Sequence, residues 1–271
     1  MSLARIAIRT AAVEALKGRT LVGNNVLDSE IGVIDVDSNG NAVTNEKSPF
    51  TAVYTDAAKA SVGENELRAL FLNGMTEVLF ESGVTAAMTG IDPETGETVL
   101  GIGVPDTDAN LEFQLDLQAR QIVDALTDPD NEWGQVFLGL CYRITSVERV
   151  RTGNVSDGVR QAAQQMKLTV QLVDDPEPRQ ALIPGTPFAR FVELAKASPD
   201  ESIQKKGAFI EAVSVGSSET WEHLQRSHGM TADELLALGL GPLANDIDRT
   251  TPAMTEGALD IEGVPPPRKV P

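Results

Sequence analysis

The stretch DTDANLEFQLDLQARQIVDALTDPD, residues 106–130, constrains the chain most, because Leu111, Leu115, Ile122, Val123 and Leu126 recur at helical spacing on one face. Asp106 or Thr107 stands where an N-cap is needed, and Pro129 supplies a stop. A helix with one apolar face needs a second layer to bury it. That layer is legible downstream. In RQAAQQMKLTVQLVDD, Leu168, Val170 and Leu172 alternate with Thr169, Gln171 and Val173, the period of a strand.

Other segments fill in the two layers. LARIAIRTAAVEALKGRT places Leu3, Ile6, Val13 and Leu16 at near-helical spacing and stops at Gly18, so a helix opens the chain. A hairpin is expected around residues 31–57, then a short helix or variable connection in NELRALFLNG. TEVLFESGVTAAM reads as a strand broken or bulged at Gly83, and DPETGET as a turn. RITSVERVRTG and the alternating segment above form a strand pair around the loop GNVSDG. The expected fold class is α+β, a single mixed or antiparallel sheet packed against two helices, with a smaller, mostly helical C-terminal extension.

Proline usage divides the chain. Four prolines fall before residue 176 and eleven from Pro176 onward, which places a domain boundary near VDDPEPRQ. The expected units are residues 1–178, a Pro-containing linker with a helix at 179–208, an extension at 209–264 and a poorly ordered tail at 265–271.

One segment imitates a calcium loop. DVDSNGNAVTNE puts Asp35, Asp37, Asn39, Gly40 and Glu46 at the ligand and glycine positions of the twelve-residue loop. Such a loop is held by helices, however, whereas Ile31, Val33 and Val36 before it and Phe50, Ala52 and Tyr54 after it favour strands. Position 9 is Val43, which has no ligand oxygen. The stretch is therefore read as an acidic hairpin turned by Asn39-Gly40, and no metal or other cofactor is expected.

Composition excludes more than it assigns. A formal charge of −18 argues against a surface that grips nucleic acid, although it suits a wall along which DNA slides without sticking. Cys141, the single cysteine, lies in the apolar run VFLGLCYRI and is expected to be buried and inert. Neither a secretory leader nor a membrane span is apparent. His223 and His228 are five apart and share no helix face, GIGVPD lacks a phosphate cradle, and Asp174-Asp175 reads as a pair of solvated loop charges. No enzyme site is expected. Between Cys141 and Val173 five cations (Arg143, Arg149, Arg151, Arg160 and Lys167) face two anions, Glu148 and Asp157. Two uses stand open: solvated strand positions that pair with the acidic helix, or a cluster of Arg149, Arg151 and Arg160 that meets the acidic face of a neighbouring copy.

The order of elements resembles the tail terminator proteins of long-tailed bacteriophages, the lambda type. The carrying segments are ARIAIRTAAVEALKGRT, FTAVYTDAA, TEVLFESGV, LEFQLDLQARQIVDAL and RITSVERVRTGNVSDGVRQAAQQMKLTVQLVDDP, across roughly residues 1–178. The resemblance implies a virion structural protein, assembled in the host cytoplasm. It would form a hexameric ring on the tail tube protein, end tail polymerisation and offer a surface to the head-completion or neck protein, with DNA passing through the lumen. The extension is similar to a LysM module, which would bind peptidoglycan glycan, with Thr220, Trp221, Leu224, Leu235 and Leu238 as its small core. Two ordinary amphipathic helices are the alternative there.

Overall fold

A computed structural model describes residues 2–29, 35–36, 42–43, 46, 48–61, 70, 72–85, 90–91, 98–99, 107–156, 159–176, 181–215, 225 and 229–240. The first helix, α1 (Leu3–Leu16), is rich in alanine, and none of its residues is exposed. Ala4, Ala7, Ala11, Ala12 and Ala15 are fully buried beside Ile8 and Leu16. Small side chains on several faces let neighbours approach from several sides, so the helix sits inside the fold rather than on one surface of it.

Around α1 the chain builds a mixed five-stranded sheet in the order β1-β4-β5-β9-β8. Its strands are β1 (Val26–Asp28), β4 (Phe50–Lys59), β5 (Met75–Thr85), β8 (Cys141–Ser156) and β9 (Val159–Leu172). β1 runs parallel to β4, and the other neighbours are antiparallel. Two-residue pairs stand apart as β2 (Asp35–Val36) with β3 (Ala42–Val43), and β6 (Gly90–Ile91) with β7 (Thr98–Val99). Helices α2 (Asp108–Thr127), α3 (Glu132–Gly139), α4 (Pro187–Ala197), α5 (Glu201–Ser214) and α6 (Ala232–Ala237) complete the described elements. The α+β class expected from the sequence is the class observed.

α2 carries the expected apolar face, with Leu111, Leu115, Ile122 and Leu126 buried, Thr107 as its cap and the helix ending before Pro129. Met166, Leu168, Val170 and Leu172 of β9 are buried against the helices. Between α2 and the sheet lies a polar seam: Gln118 Nε2 donates to the Phe50 carbonyl at 3.0 Å and to Thr51 Oγ1 at 2.6 Å.

Several expectations need correction. Among the described residues, the hairpin expected around residues 31–57 appears as β2 against β3, with Asp35 opposite Val43. β4 instead pairs with β1 and β5, since its apolar residues need the sheet interior. Gly83 is no bulge: β5 runs through it in register, and a Cβ there would lie 2.6 Å from the Phe50 ring, so the glycine makes room for that ring. The bulge lies in β4 between Thr55 and Ala58, where Arg5 of α1 donates to the carbonyls of Thr55 and Asp56. Strand pairing continues to Ser156 and resumes at Val159, leaving a shorter connection than GNVSDG. NELRALFLNG and DPETGET fall mostly outside the described residues.

A third helix, α3, was not expected. Asn131 caps it by accepting from Gly134 N at 3.2 Å, and its own amide donates to the carbonyls of Ala15 and Ala125 at 2.9 and 2.8 Å. One buried side chain thereby ties the last turn of α1 and the end of α2 to the start of α3. Of the Asp174-Asp175 pair, Asp174 is exposed as read from the sequence, whereas Asp175 is half-buried and structural. Asp175 accepts from the backbone of Leu3 and Ala4 at 3.0 and 2.9 Å and from Ser2 Oγ at 2.6 Å, so its charge sits at the positive end of α1. Asn73 joins both acids: its backbone donates to Asp174 and its side chain to Asp175, each at 3.0 Å.

The apolar cluster continues past residue 178. Phe188, Phe191, Val192 and Ala195 of α4 and Ile203 and Ile210 of α5 belong to the same cluster as Ile8, Phe137 and Leu172. The boundary read from the prolines therefore marks the crossing from β9 to α4 without dividing the core. α5 begins at Glu201, so the division at 209 cuts through a helix. The FIEAV segment at the start of the LysM-like extension is the second half of that helix, in which Ile203, Gly207, Ile210 and Ser214 are buried. Gly207 permits the contact, because a Cβ would lie 2.8 Å from Ala195 Cβ.

Asp28 fastens α5 to the sheet. It accepts from Arg9 Nε at 2.6 Å and from Lys206 Nζ at 2.7 Å. Burial raises the pKa of its carboxyl, but the bond from Lys206 and the charge of Arg9 outweigh burial, and the net value lies below the ordinary one. A depressed carboxylate contributes stability above its unfolded pKa and loses it as pH falls through the folded value. Asp28→Asn is therefore expected to cost about 1 kcal/mol at pH 7, allowing for solvent screening, and less at about pH 2, below the ordinary carboxylate range. Urea denaturation of both proteins at the two pH values is the measurement; an equal gap at both would show that the charge contributes nothing.

Candidate subunit interface

β8 is the last strand of the sheet, and its outer side has no strand partner among the described residues. Its sixteen residues, CYRITSVERVRTGNVS, are rich in β-branched types and contain no proline to blunt pairing. Register shifts at Tyr142 and Thr145 bend its first half. Tyr142, Ile144, Val147 and Val150 stand exposed along it, at 68% and 57% for Tyr142 and Val150. Ile144 and Val147 lie on the helix side of the sheet and Val150 on the other, and β3 lies close to the strand, so what β8 presents is an edge without a strand partner among the described residues and with exposed apolar side chains on both faces.

The arginines divide. Register places Val147, Arg149 and Arg151 opposite Leu168, Met166 and Gln164, hence on the helix side. Arg151 forms ion pairs with Glu112 and Asp116, one turn apart on α2. That is the within-chain use left open by the sequence. Glu112 and Asp116, at i and i+4, share one face of α2, so a single arginine beneath that face reaches both. Arg149 is exposed and makes no ion pair with a described residue; it lines a notch of about 250 Å³ with Asp116, Ala119, Arg120, Val123 and Gln164. Arg160 stands opposite Val155 in the ladder, and its side chain lies outside the description. Arg149 and Arg151 accordingly differ in use, Arg151 being tied within the chain. On the other side of the sheet Lys167 is held by Glu148 at 3.2 Å and Glu77 at 3.6 Å. Arg143 is exposed, with no ion pair to a described residue.

The remaining candidates are placed as follows. Asp35 and Val43, positions 1 and 9 of the calcium-like stretch, face each other in a two-strand ladder, so strands flank the turn. Asn25 Nδ2 donates to Glu46 at 3.4 Å, while Asp37, Asn39 and Gly40 lie outside the described residues. Cys141 Sγ donates to the Phe137 carbonyl at 3.4 Å, and burial pushes its thiol up to about 12. In the LysM-like segment Leu235 is buried, but Leu238 is 63% exposed and joins no core; Thr220, Trp221, Leu224, His223 and His228 lie outside the described residues. A second concavity of about 420 Å³ lies beside Tyr142, Val173, Leu182, Pro187 and Phe188. No helix among the described residues is long and apolar enough to cross a membrane. Neither a protein-family model nor a curated protein sequence matches the chain.

Two predictions follow from these environments. Arg151→Glu would set a carboxylate against Glu112 and Asp116 and is expected to lower stability by about 1 kcal/mol or more, whereas Arg149→Glu should change it by less than about 0.5 kcal/mol. Chemical denaturation of the single variants distinguishes them, and equal losses would contradict the pairing. Cys141 in the native protein at pH 8 should react with iodoacetamide on the order of 10³-fold more slowly than in the unfolded chain, because so little thiolate is present. Equal rates would show that the thiol is open.

Proposed function

We propose that the chain is a ring-forming structural protein of a bacteriophage tail, of the terminator type. It caps the finished tail tube, stops its polymerisation and joins the tail to the head-completion protein. The observation that carries this reading is the β8 edge, sixteen residues long and without a strand partner among the described residues, with exposed apolar side chains and an Arg149 that makes no ion pair with a described residue. A terminator needs such a surface, since it must hold its own copies through a contact whose rotation closes; a contact that did not close would extend a filament instead of ending one. Net charge supports the same reading. At −18 per copy, a ring presents the DNA in its lumen with a repelling wall, and its copies need a local cationic contact to hold them together.

The test is mass and capping together. Purified protein is expected to be monomeric or a closed particle near six times 28.9 kDa, and to arrest growing tail tubes when added to them. Arg149→Glu should lower ring occupancy at tube ends without unfolding the subunit, and high salt should act in the same direction. A stable dimer that leaves tube growth unchanged would overturn the proposal.

A further inference from the structure

Independently of any ring contact, we infer that residues 108–117 of α2 form a latch that leaves the sheet while residues 119–127 stay docked, with Arg151 as its catch. The helix is continuous, but its two halves are held differently. In the second half Ile122, Ala125 and Leu126 belong to the main apolar cluster. Gln121 Oε1 accepts from the Leu21 amide at 2.8 Å, the Ala125 carbonyl accepts from Asn131, and Asp128, just past the helix, pairs with Arg19 at 2.7 Å. Among the described residues, the first half joins a separate small cluster, in which Leu111 and Leu115 meet Val84 and Ala162.

A polar seam divides the two clusters. Gln118 lies between Leu115 and Ile122 on the buried face of α2, and Gln164 lies between Ala162 and Met166 on the helix side of β9. Gln118, Gln164 and Gln114 are 0%, 5% and 1% exposed, and the amide oxygen of each is shut off from solvent without a hydrogen-bond partner. Such an oxygen has lost its bonds to water and gained none, so closing the first half carries a penalty that opening relieves at Gln114 and Gln164. Gln118 sets the hinge, because its Nε2 donates to Phe50 and Thr51 of β4 and holds it to the sheet. About ten residues released from the sheet are too few to stay firmly helical, so the latch unwinds as it opens.

Arg151 offsets the penalty by pairing with both Glu112 and Asp116. The three side chains are 36%, 46% and 64% exposed, so salt weakens the catch. Opening frees Arg151 two residues from Arg149 on the same side of β8, and the latch thereby sets how much positive charge that strand presents.

Native-state hydrogen exchange of the full chain, read amide by amide at low urea concentrations, tests the latch. Relative to their intrinsic rates, the amides of residues 112–117 are expected to exchange at least about tenfold faster than those of 122–127, through an opening with a smaller urea dependence. Raising NaCl from about 0.05 M to about 1 M should widen that ratio about threefold. Arg151→Ala should widen it as much at low salt and abolish the response to salt. Gln114→Leu removes one orphaned oxygen with little change in helix propensity, and should slow the first group about tenfold while leaving the second unchanged. Both groups exchanging through a single opening of equal urea dependence would overturn the latch. Salt and Arg151→Ala acting equally on both groups would overturn the catch, and a first group indifferent to Gln114→Leu would overturn the latch in favour of simple fraying of a helix end. The salt series uses the unaltered protein, so a variant that fails to fold leaves the test in force.

Discussion

The fold depends on placing α1 inside the protein. A helix with no exposed residue cannot leave its end groups to water, so other parts of the chain must satisfy them. Asp175, after the last residue of β9, takes up the first backbone N–H groups, and Asn131 takes the carbonyl of Ala15 in the last turn. The two long cationic side chains of α1 are used as well, Arg5 at the bulge of β4 and Arg9 at Asp28 of β1. These bonds join residues far apart in sequence, so α1 fixes the distance between the sheet and the outer helices. Because the same Asp28 also holds Lys206, the position of α5 follows from the position of α1.

What the sequence revealed follows from how strongly each element is patterned. α2 was legible because twenty residues repeat one apolar face, and β9 because its alternation is regular and its inner face deeply buried. α3 has only eight residues and mixes glycine with β-branched and aromatic types, so its identity comes from Asn131 and from neighbours on three sides. Gly83 looked like a defect in a strand since the Phe50 ring that fills its place comes from another strand. The proline shift marked a change in chain character accurately, but core membership depends on Phe188, Phe191 and Ile203 packing back onto α1 and α3, which local composition does not report. Of the two uses read for the arginines, the within-chain one is found at Arg151. Arg151 is tied to the acidic helix by two carboxylates one turn apart, whereas Arg149, two positions earlier, remains exposed and unpaired with any described residue.

The proposed assembly uses what the fold leaves uncovered. Closing the core around α1 leaves β8 as the last strand of the sheet, with exposed apolar side chains on both of its faces. Arg149 can be given up to a partner without cost to the subunit, while Arg151 cannot, because it holds β8 to α2. This separation of structural from associative charge lets subunits remain folded before they meet.

The most direct measurement is hydrogen exchange at the outward amides of β8, residues 143–151, followed as the protein passes from dilute monomer to assembled particle. In the monomer these groups lie at an open sheet edge and should exchange fast, while the amides of β9 stay protected in the sheet interior. Assembly is predicted to slow exchange along β8, with β9 unchanged. An assembled particle in which β8 exchanges as fast as in the monomer would contradict the claim that this edge joins the copies.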